Sequence, residues 1–269
     1  MPAPISDALS PQPTSISSSR RLPRAAGEQR ELTPPEQRIL HETLECCERR
    51  FDESVFFRRL ALRDVTPAAL KYVFGQYGHF RLQLQRWFAA CIILIKDASQ
   101  PAHREAILAL ADHIFTDLRD GHDLLFAELL NDLGFPVGTL HAEVVSPATA
   151  AYIESFLDDC HAPAVTWLEA MAALGGRELS VVVRNQRLLK SYFAPRGLRG
   201  PTWITLHAEL EIDHFLDLVR PLLMQGADAA PPEAVRLAIE RTLGRHVEYL
   251  DALLQEHEDA ARAPNEKRR

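Results

Sequence analysis

The sequence predicts an all-α fold, a compact bundle of about seven to ten helices, and three observations carry that reading. A hydroxyl side chain able to accept a backbone N–H is repeatedly followed by proline, whose missing N–H costs nothing in a first helical turn: Thr33-Pro34, Thr66-Pro67 and Ser146-Pro147. Apolar residues recur at three-to-four spacing over long stretches. Alternation of the strand type over five or more residues is hard to find, and Val181-Val182-Val183 is embedded in helical spacing.

In chain order, a helix starting at Pro34 is followed by the longest periodic stretch, Thr66 to Ala98, where Leu70, Val73, Tyr77, Phe80, Leu84, Trp87 and Cys91 share one face. This predicts a single helix of about nine turns. Further helices are expected at about 101–117, 121–133, 147–160, 163–174, 178–193, 202–225 and 232–261. Gly200-Pro201-Thr202 and Pro231-Pro232-Glu233 mark two of the starts, and Gly134, Gly175-Gly176, Gly197 and Gly226 are placed as stops or turns.

Residues 1–31 carry five prolines, six serines and no apolar period, which predicts a disordered tail. One domain is expected over 32–258, and 259–269 reads as a second flexible tail. The net charge of −7 leaves no basic footprint for nucleic acid. The longest apolar run, Trp87 to Ile95, is nine residues, against the roughly 20 that span a bilayer. Four cysteines, Cys46, Cys47, Cys91 and Cys160, do not make a disulfide or zinc framework, so a cytoplasmic location is expected.

The most informative stretch runs from Leu206 to His214. On an ideal helix Glu211 lies about 40° round from His207 and His214 about 20° to the other side, so two imidazoles and a carboxylate share one stripe about 10 Å long. Neutral nitrogen donors with an anionic oxygen suit a borderline metal such as iron. Chance placement would give about 0.06 such patterns in this composition. The competing reading is a solvated helix face. Glu178, just after the glycine pair, is either a first-turn dipole partner or an inward ligand. His122 beside Gly121 reads as a cap or surface residue when taken alone, and His113 and Asp117, four apart, put two donors on one face.

An acid and a histidine in mid-chain, a glutamate 29 residues before His207, and then His-x3-acid-x2-His resemble the haem-oxygenase-like di-iron oxidases, which share a fold with thiaminase II and the PQQ-synthesis enzyme PqqC. The likeness covers roughly 36–255. Gln76-Tyr77-Gly78-His79-Phe80 looks like the family's long early helix, and Gly121-His122 followed by Leu133-Gly134 is similar to its His-containing helix. The resemblance implies His122, Glu178, His207, Glu211 and His214 as metal ligands, with Glu211 where several members have Asp. It implies a sixth, carboxylate, ligand before His122. No glutamate stands between Glu105 and His122, so Asp117 is the first choice, ahead of Asp112 and Asp120. Asp117 and His122 are about 140° apart on an ideal helix and can meet only if Gly121 or a bulge breaks it.

The resemblance therefore implies an oxygen-activating oxidase with two Fe(II) ions, or a mixed Mn/Fe pair, with O2 as co-substrate. It would act on an amino acid, amine or fatty acid by N-oxygenation, desaturation or C–C cleavage. The expected partners are that small-molecule substrate and an external electron donor, with a homodimer compatible and neither nucleic acid nor membrane involved. Arg184, Arg187 and Lys190 are read as the wet face of their helix, with a substrate carboxylate as the alternative partner. A metal-free thiaminase II-like enzyme or small-molecule binding module of the same fold is the alternative function. A cysteine nucleophile there would be Cys160. An interaction module anchored by Trp87, Trp167 and Trp203 leaves the His-acid-His stripe unexplained.

Overall fold

The structure is a computed structural model that describes residues 31–135, 144–162, 164–225 and 233–266. Eleven α-helices follow one another in these segments, and no strand occurs among the described residues. They are α1 (Pro34–Glu53), α2 (Val55–Ala61), α3 (Pro67–Arg81), α4 (Leu84–Leu94), α5 (Pro101–Arg119), α6 (His122–Asp132), α7 (Pro147–His161), α8 (Trp167–Leu188), α9 (Thr202–Leu206), α10 (Leu210–Leu223) and α11 (Glu233–Glu266). The hydroxyl-proline starts hold: Thr33, Thr66 and Ser146 each accept an N–H from the first turn of α1, α3 and α7. Thr33 and Glu36 add the reciprocal bond of a capping box.

The centre of the bundle is α8, packed against α10 and α11 and flanked by α1, α4 and α7. From Ala170 to Asn185 every residue is buried. Such a helix should be apolar all round, yet it carries Arg177, Glu178, Ser180, Arg184 and Asn185 inside the core. Buried charges persist only when something compensates them, so this helix marks where the chemistry sits. Trp87 and Trp203 are 1% exposed and belong to the core, which removes two of the three anchors of an interaction module.

The helices differ from expectation at four places. Gly175-Gly176 is not a stop but lies inside α8. A Cβ on Gly175 would stand 3.2 Å from the Phe215 ring of α10, and one on Gly176 3.3 Å from the Ile239 backbone of α11, so the pair serves close helix approach. The 66–98 stretch breaks at Leu82-Gln83, where Gln83 N–H bonds back to Phe80. The break turns Arg81 inward, 3% exposed, while Phe80 and Trp87 stay in contact at 4.5 Å between ring centroids. The 202–225 segment also divides, at His207–Glu209. Finally, α11 runs on to Glu266, through much of the stretch expected to be a tail, although residues 259–263 are exposed. Residues 1–30 and Gly226 lie outside the described residues.

Candidate functional site

α5 contributes His113 and Asp117, four apart and both buried. It ends at Arg119, and Gly121 then takes φ +69°, the left-handed region open to glycine, before α6 begins at His122. That reversal brings His122 Nδ1 to 2.8 Å from Asp117 Oδ1. A carboxylate only accepts, so Nδ1–H donates, and Nε2 is not used by this bond. Arg81 Nη2 stands 3.9 Å from the same oxygen and 3.1 Å from Asp123. Burial alone would raise the Asp117 carboxyl, but the His122 hydrogen bond and the Arg81 charge outweigh it and hold it well below the usual range. Asp112 and Asp120, the other two choices, are exposed.

His207 is not on a continuous helix with Glu211. It caps α9, where its Nδ1 meets the Trp203 carbonyl at 2.8 Å, while Gln186 Nε2 donates to the Ala208 carbonyl at 3.0 Å. The Trp203 carbonyl also accepts the His207 backbone N–H at 3.1 Å, so the ring adds a second bond there, while at Ala208 a side chain satisfies a carbonyl that a continuous helix would have bonded. With Nδ1–H committed, His207 presents Nε2 towards Glu211 Oε1 at 3.7 Å. Burial lowers its pKa to about 4, so it is neutral. Glu211, in the first turn of α10, directs its other oxygen to His214 Nδ1 at 2.5 Å. Burial works against an imidazolium at His214, but the Glu211 charge and hydrogen bond prevail and raise its pKa to about 9.

Glu178 is 0% exposed and sits in the middle of α8, so it has no helix start to serve as a dipole partner. Both its oxygens accept from Arg177 Nη1, at 2.9 and 2.8 Å, and Arg177 Nη2 donates to the Tyr77 hydroxyl at 2.8 Å. Burial raises the Tyr77 phenol, but the Arg177 and Arg184 charges overcome this and lower it. His113 Nε2 lies 3.7 Å from Glu178 Oε1, with its ring 4.1 Å from that of His214. Burial, with His214 beside it, keeps His113 well below the usual imidazole value.

Donor atoms of His113, Glu178, Glu211 and His214 thus all fall within 4.8 Å of one another. Asp117, His122 and His207 lie beside this cluster without forming a second converging set of donors among the described residues: the His122 and His207 rings are 4.9 Å apart, and Glu211 reaches His207 at 3.7 Å and His214 at 2.5 Å. Of the six residues anticipated from the sequence, Glu178, Glu211 and His214 gather in the cluster, and Asp117, His122 and His207 lie beside it. His113 was singled out only as the i, i+4 neighbour of Asp117; that spacing was the available signal. Arg177 and Arg81 gave no motif, only charge within an apolar stretch.

Arg184 is not on a wet face: it is 1% exposed, with its guanidinium 4.3 Å from the Tyr77 ring centroid and 5.3 Å from that of Trp203. Cation–π contacts return roughly 0.5–2 kcal/mol each, whereas removing an ion from water costs several kcal/mol. Arg187 does fit the wet face, paired with Glu48 and Asp52, and Lys190 is exposed. All four cysteines are buried and unbridged. Burial raises each thiol pKa, that of Cys91 to about 12.

Residues 67–258 match the model of the TENA/THI-4/PQQC family. No curated protein matches the chain. Among solved structures, a TenA homologue from Pseudomonas syringae pv. tomato DC3000 superposes with a TM-score of 0.64 at 13% identity, over 86% of this chain and 99% of that one. A domain of unknown function with a haem-oxygenase-like fold from Shewanella denitrificans OS217 gives 0.66 at 14% identity, over 82% and 93%. A TenA homologue from Pyrococcus furiosus gives 0.58 at 15%, over 81% and 99%. At these identities the likeness establishes the haem-oxygenase-like fold. No described helix is long and apolar enough to cross a membrane.

Proposed function

We propose that this chain, which belongs to the TENA/THI-4/PQQC family, is a non-haem di-iron oxidase that uses O2 to oxidise a small organic substrate. The observation that carries the reading is Glu211, one carboxylate that belongs to a buried four-donor cluster and also faces His207 outside it. His113, Glu178, Glu211 and His214 would hold one ion, and Asp117, His122 and His207 with the shared Glu211 the other. Ferrous ions in such a mixed shell supply one-electron chemistry and open positions for O2.

The protein's own contribution is preorganisation. Asp117 and the Trp203 carbonyl fix the His122 and His207 rings through Nδ1, which leaves each Nε2 as the donor. Arg177 compensates Glu178, and the Tyr77 hydroxyl holds Arg177 in place. Except at His214, every donor side chain is at most 6% exposed, so bulk water is excluded from the reacting atoms. The Glu211–His214 pair stores a proton that must leave when His214 binds a metal.

A metal-free, cysteine-dependent enzyme needs an accessible thiolate, and the four thiols here are buried with raised pKa values. Oxygen uptake tests the reading. Ferrous-loaded protein should consume O2 above the rate of free ferrous ion, faster with an amine, amino acid or fatty acid that fits, and His122→Ala should abolish the excess. No uptake by the loaded wild type with any of these would favour the metal-free alternative.

A further inference from the structure

We propose that Tyr77 is ionised in the folded protein, and that its phenolate is the counter-ion of Arg184 and the group that positions Arg177 against Glu178. Three buried arginines surround the site region, and two have acids: Arg177 holds Glu178, and Arg81 pairs with Asp117 and Asp123. Arg184 has none among the described residues. Its guanidinium lies 4.3 Å from the Tyr77 ring centroid and hydrogen-bonds the Tyr77 side chain. A buried cation needs an anion as well as an aromatic face.

The Tyr77 oxygen, on a side chain 1% exposed, accepts from Arg177 Nη2 at 2.8 Å and from Arg184. A guanidinium carries donors and no acceptor, so neither partner can take the phenol proton, and among the described residues no other group accepts it. The space lined by Tyr77, Arg184, Phe56 and Leu250 has no room for a water molecule. A neutral phenol would therefore bury an unsatisfied O–H beside an uncompensated cation, and loss of one proton to the solvent removes both faults.

The groups packed around Tyr77 favour that loss. Burial works against a phenolate, but the Arg177 and Arg184 charges, with Arg81 of α3 behind them, prevail. His246 of α11 is kept neutral by its burial and by the same two arginines, and burial raises the phenols of Tyr152 on α7 and Tyr249 on α11, so none of the three competes for the charge. α6 and α9 present Phe126 and Trp203, which are uncharged. The anions Glu178 and, from α10, Glu211 bear on Arg177. With a phenolate on its other edge, Arg177 does not depend on Glu178 alone, and a Glu178 oxygen can turn to a metal without stranding the guanidinium. That last consequence rests on the oxidase reading; the ionised Tyr77 does not.

The test uses full-length, metal-free protein whose tyrosines carry carbon-13 at Cζ, where the NMR signal distinguishes phenol from phenolate. The chain has five tyrosines, and burial raises the other four, so the assignment is clean. One signal should stand at the phenolate position at neutral pH, below the ordinary tyrosine value of about 10, and should be missing from Tyr77→Phe. Arg184→Met removes the uncompensated cation and should move the midpoint of that signal up by about one pH unit or more. Tyr77→Phe should also bind cobaltous ion about tenfold more weakly than the wild type. Five phenol signals at neutral pH would overturn the proposal, as would a phenolate signal that survives Tyr77→Phe or a midpoint unmoved by Arg184→Met. Wild-type cobaltous affinity in Tyr77→Phe would overturn the positioning of Arg177. If Tyr77→Phe does not fold, the wild-type spectrum and the Arg184→Met midpoint decide. A phenolate without ferrous uptake retains the ionised Tyr77 and rejects the oxidase, and ferrous uptake with five phenol signals does the reverse.

Discussion

Glu178→Gln tests the reading that the charges inside α8 are there as compensated pairs. The pair is deep, with Glu178 0% and Arg177 2% exposed, and both carboxylate oxygens accept from one guanidinium nitrogen. Removing one partner of such a pair leaves an uncompensated buried charge, at a cost of about 3–5 kcal/mol. The glutamine carbonyl can still accept one hydrogen bond, which returns about 1 kcal/mol, so the net loss should be about 2–4 kcal/mol. For a domain of this size each kcal/mol moves the midpoint by about 2–4 °C, which predicts a fall of roughly 5–15 °C. The assay is thermal unfolding of metal-free protein followed by helical circular dichroism, with Glu233→Gln in the exposed pair to Arg236 as a control that should not shift. A Glu178→Gln midpoint equal to that of the control would refute the argument that Glu178 and Arg177 stabilise each other.

Three further outcomes follow from the same geometry. Gly176→Ala pushes a Cβ against the α11 backbone at Ile239 and should cost about 1–3 kcal/mol in chemical denaturation; a neutral result would mean that α8 and α11 can separate freely. His214 must lose the proton that Glu211 holds up to a pKa of about 9, so the affinity for cobaltous ion should rise about tenfold per pH unit from neutrality towards that value and then level off. A pH-independent affinity over that range would argue against His214 as a ligand. The four thiols should react with a disulfide reagent only as the protein unfolds, and rapid labelling of Cys160 in the native state would reopen the nucleophile reading.

The fold class was legible because hydroxyl-proline caps and apolar periodicity are local signals, and Thr33, Thr66 and Ser146 behave as caps. The breaks were not legible, because they answer to tertiary demands. Gly175-Gly176 reads as a stop in isolation and becomes helix interior where two other helices approach closely. His207–Glu209 reads as helix until the Ala208 carbonyl finds a donor in the Gln186 side chain from α8. The reversal at Gly121 was the reverse case: the ideal helical angle between Asp117 and His122 demanded a break, and the glycine supplies it. Of the site, the His207, Glu211 and His214 motif was visible because its donors are close in sequence. Arg177 and Arg184 were hidden because a charge in sequence carries no sign of burial. Read as one continuous helix, the largely apolar stretch from Ala170 to Val183 would have placed Arg177 inside.

The central claim, that one carboxylate joins two metal positions, is tested most directly by anaerobic ferrous titration with iron counted per chain after removal of excess. The account predicts two irons in the wild type, and Glu211→Ala should lose both positions or retain at most one weakly. Two irons held by Glu211→Ala as firmly as by the wild type, or no saturable uptake by the wild type, would contradict it.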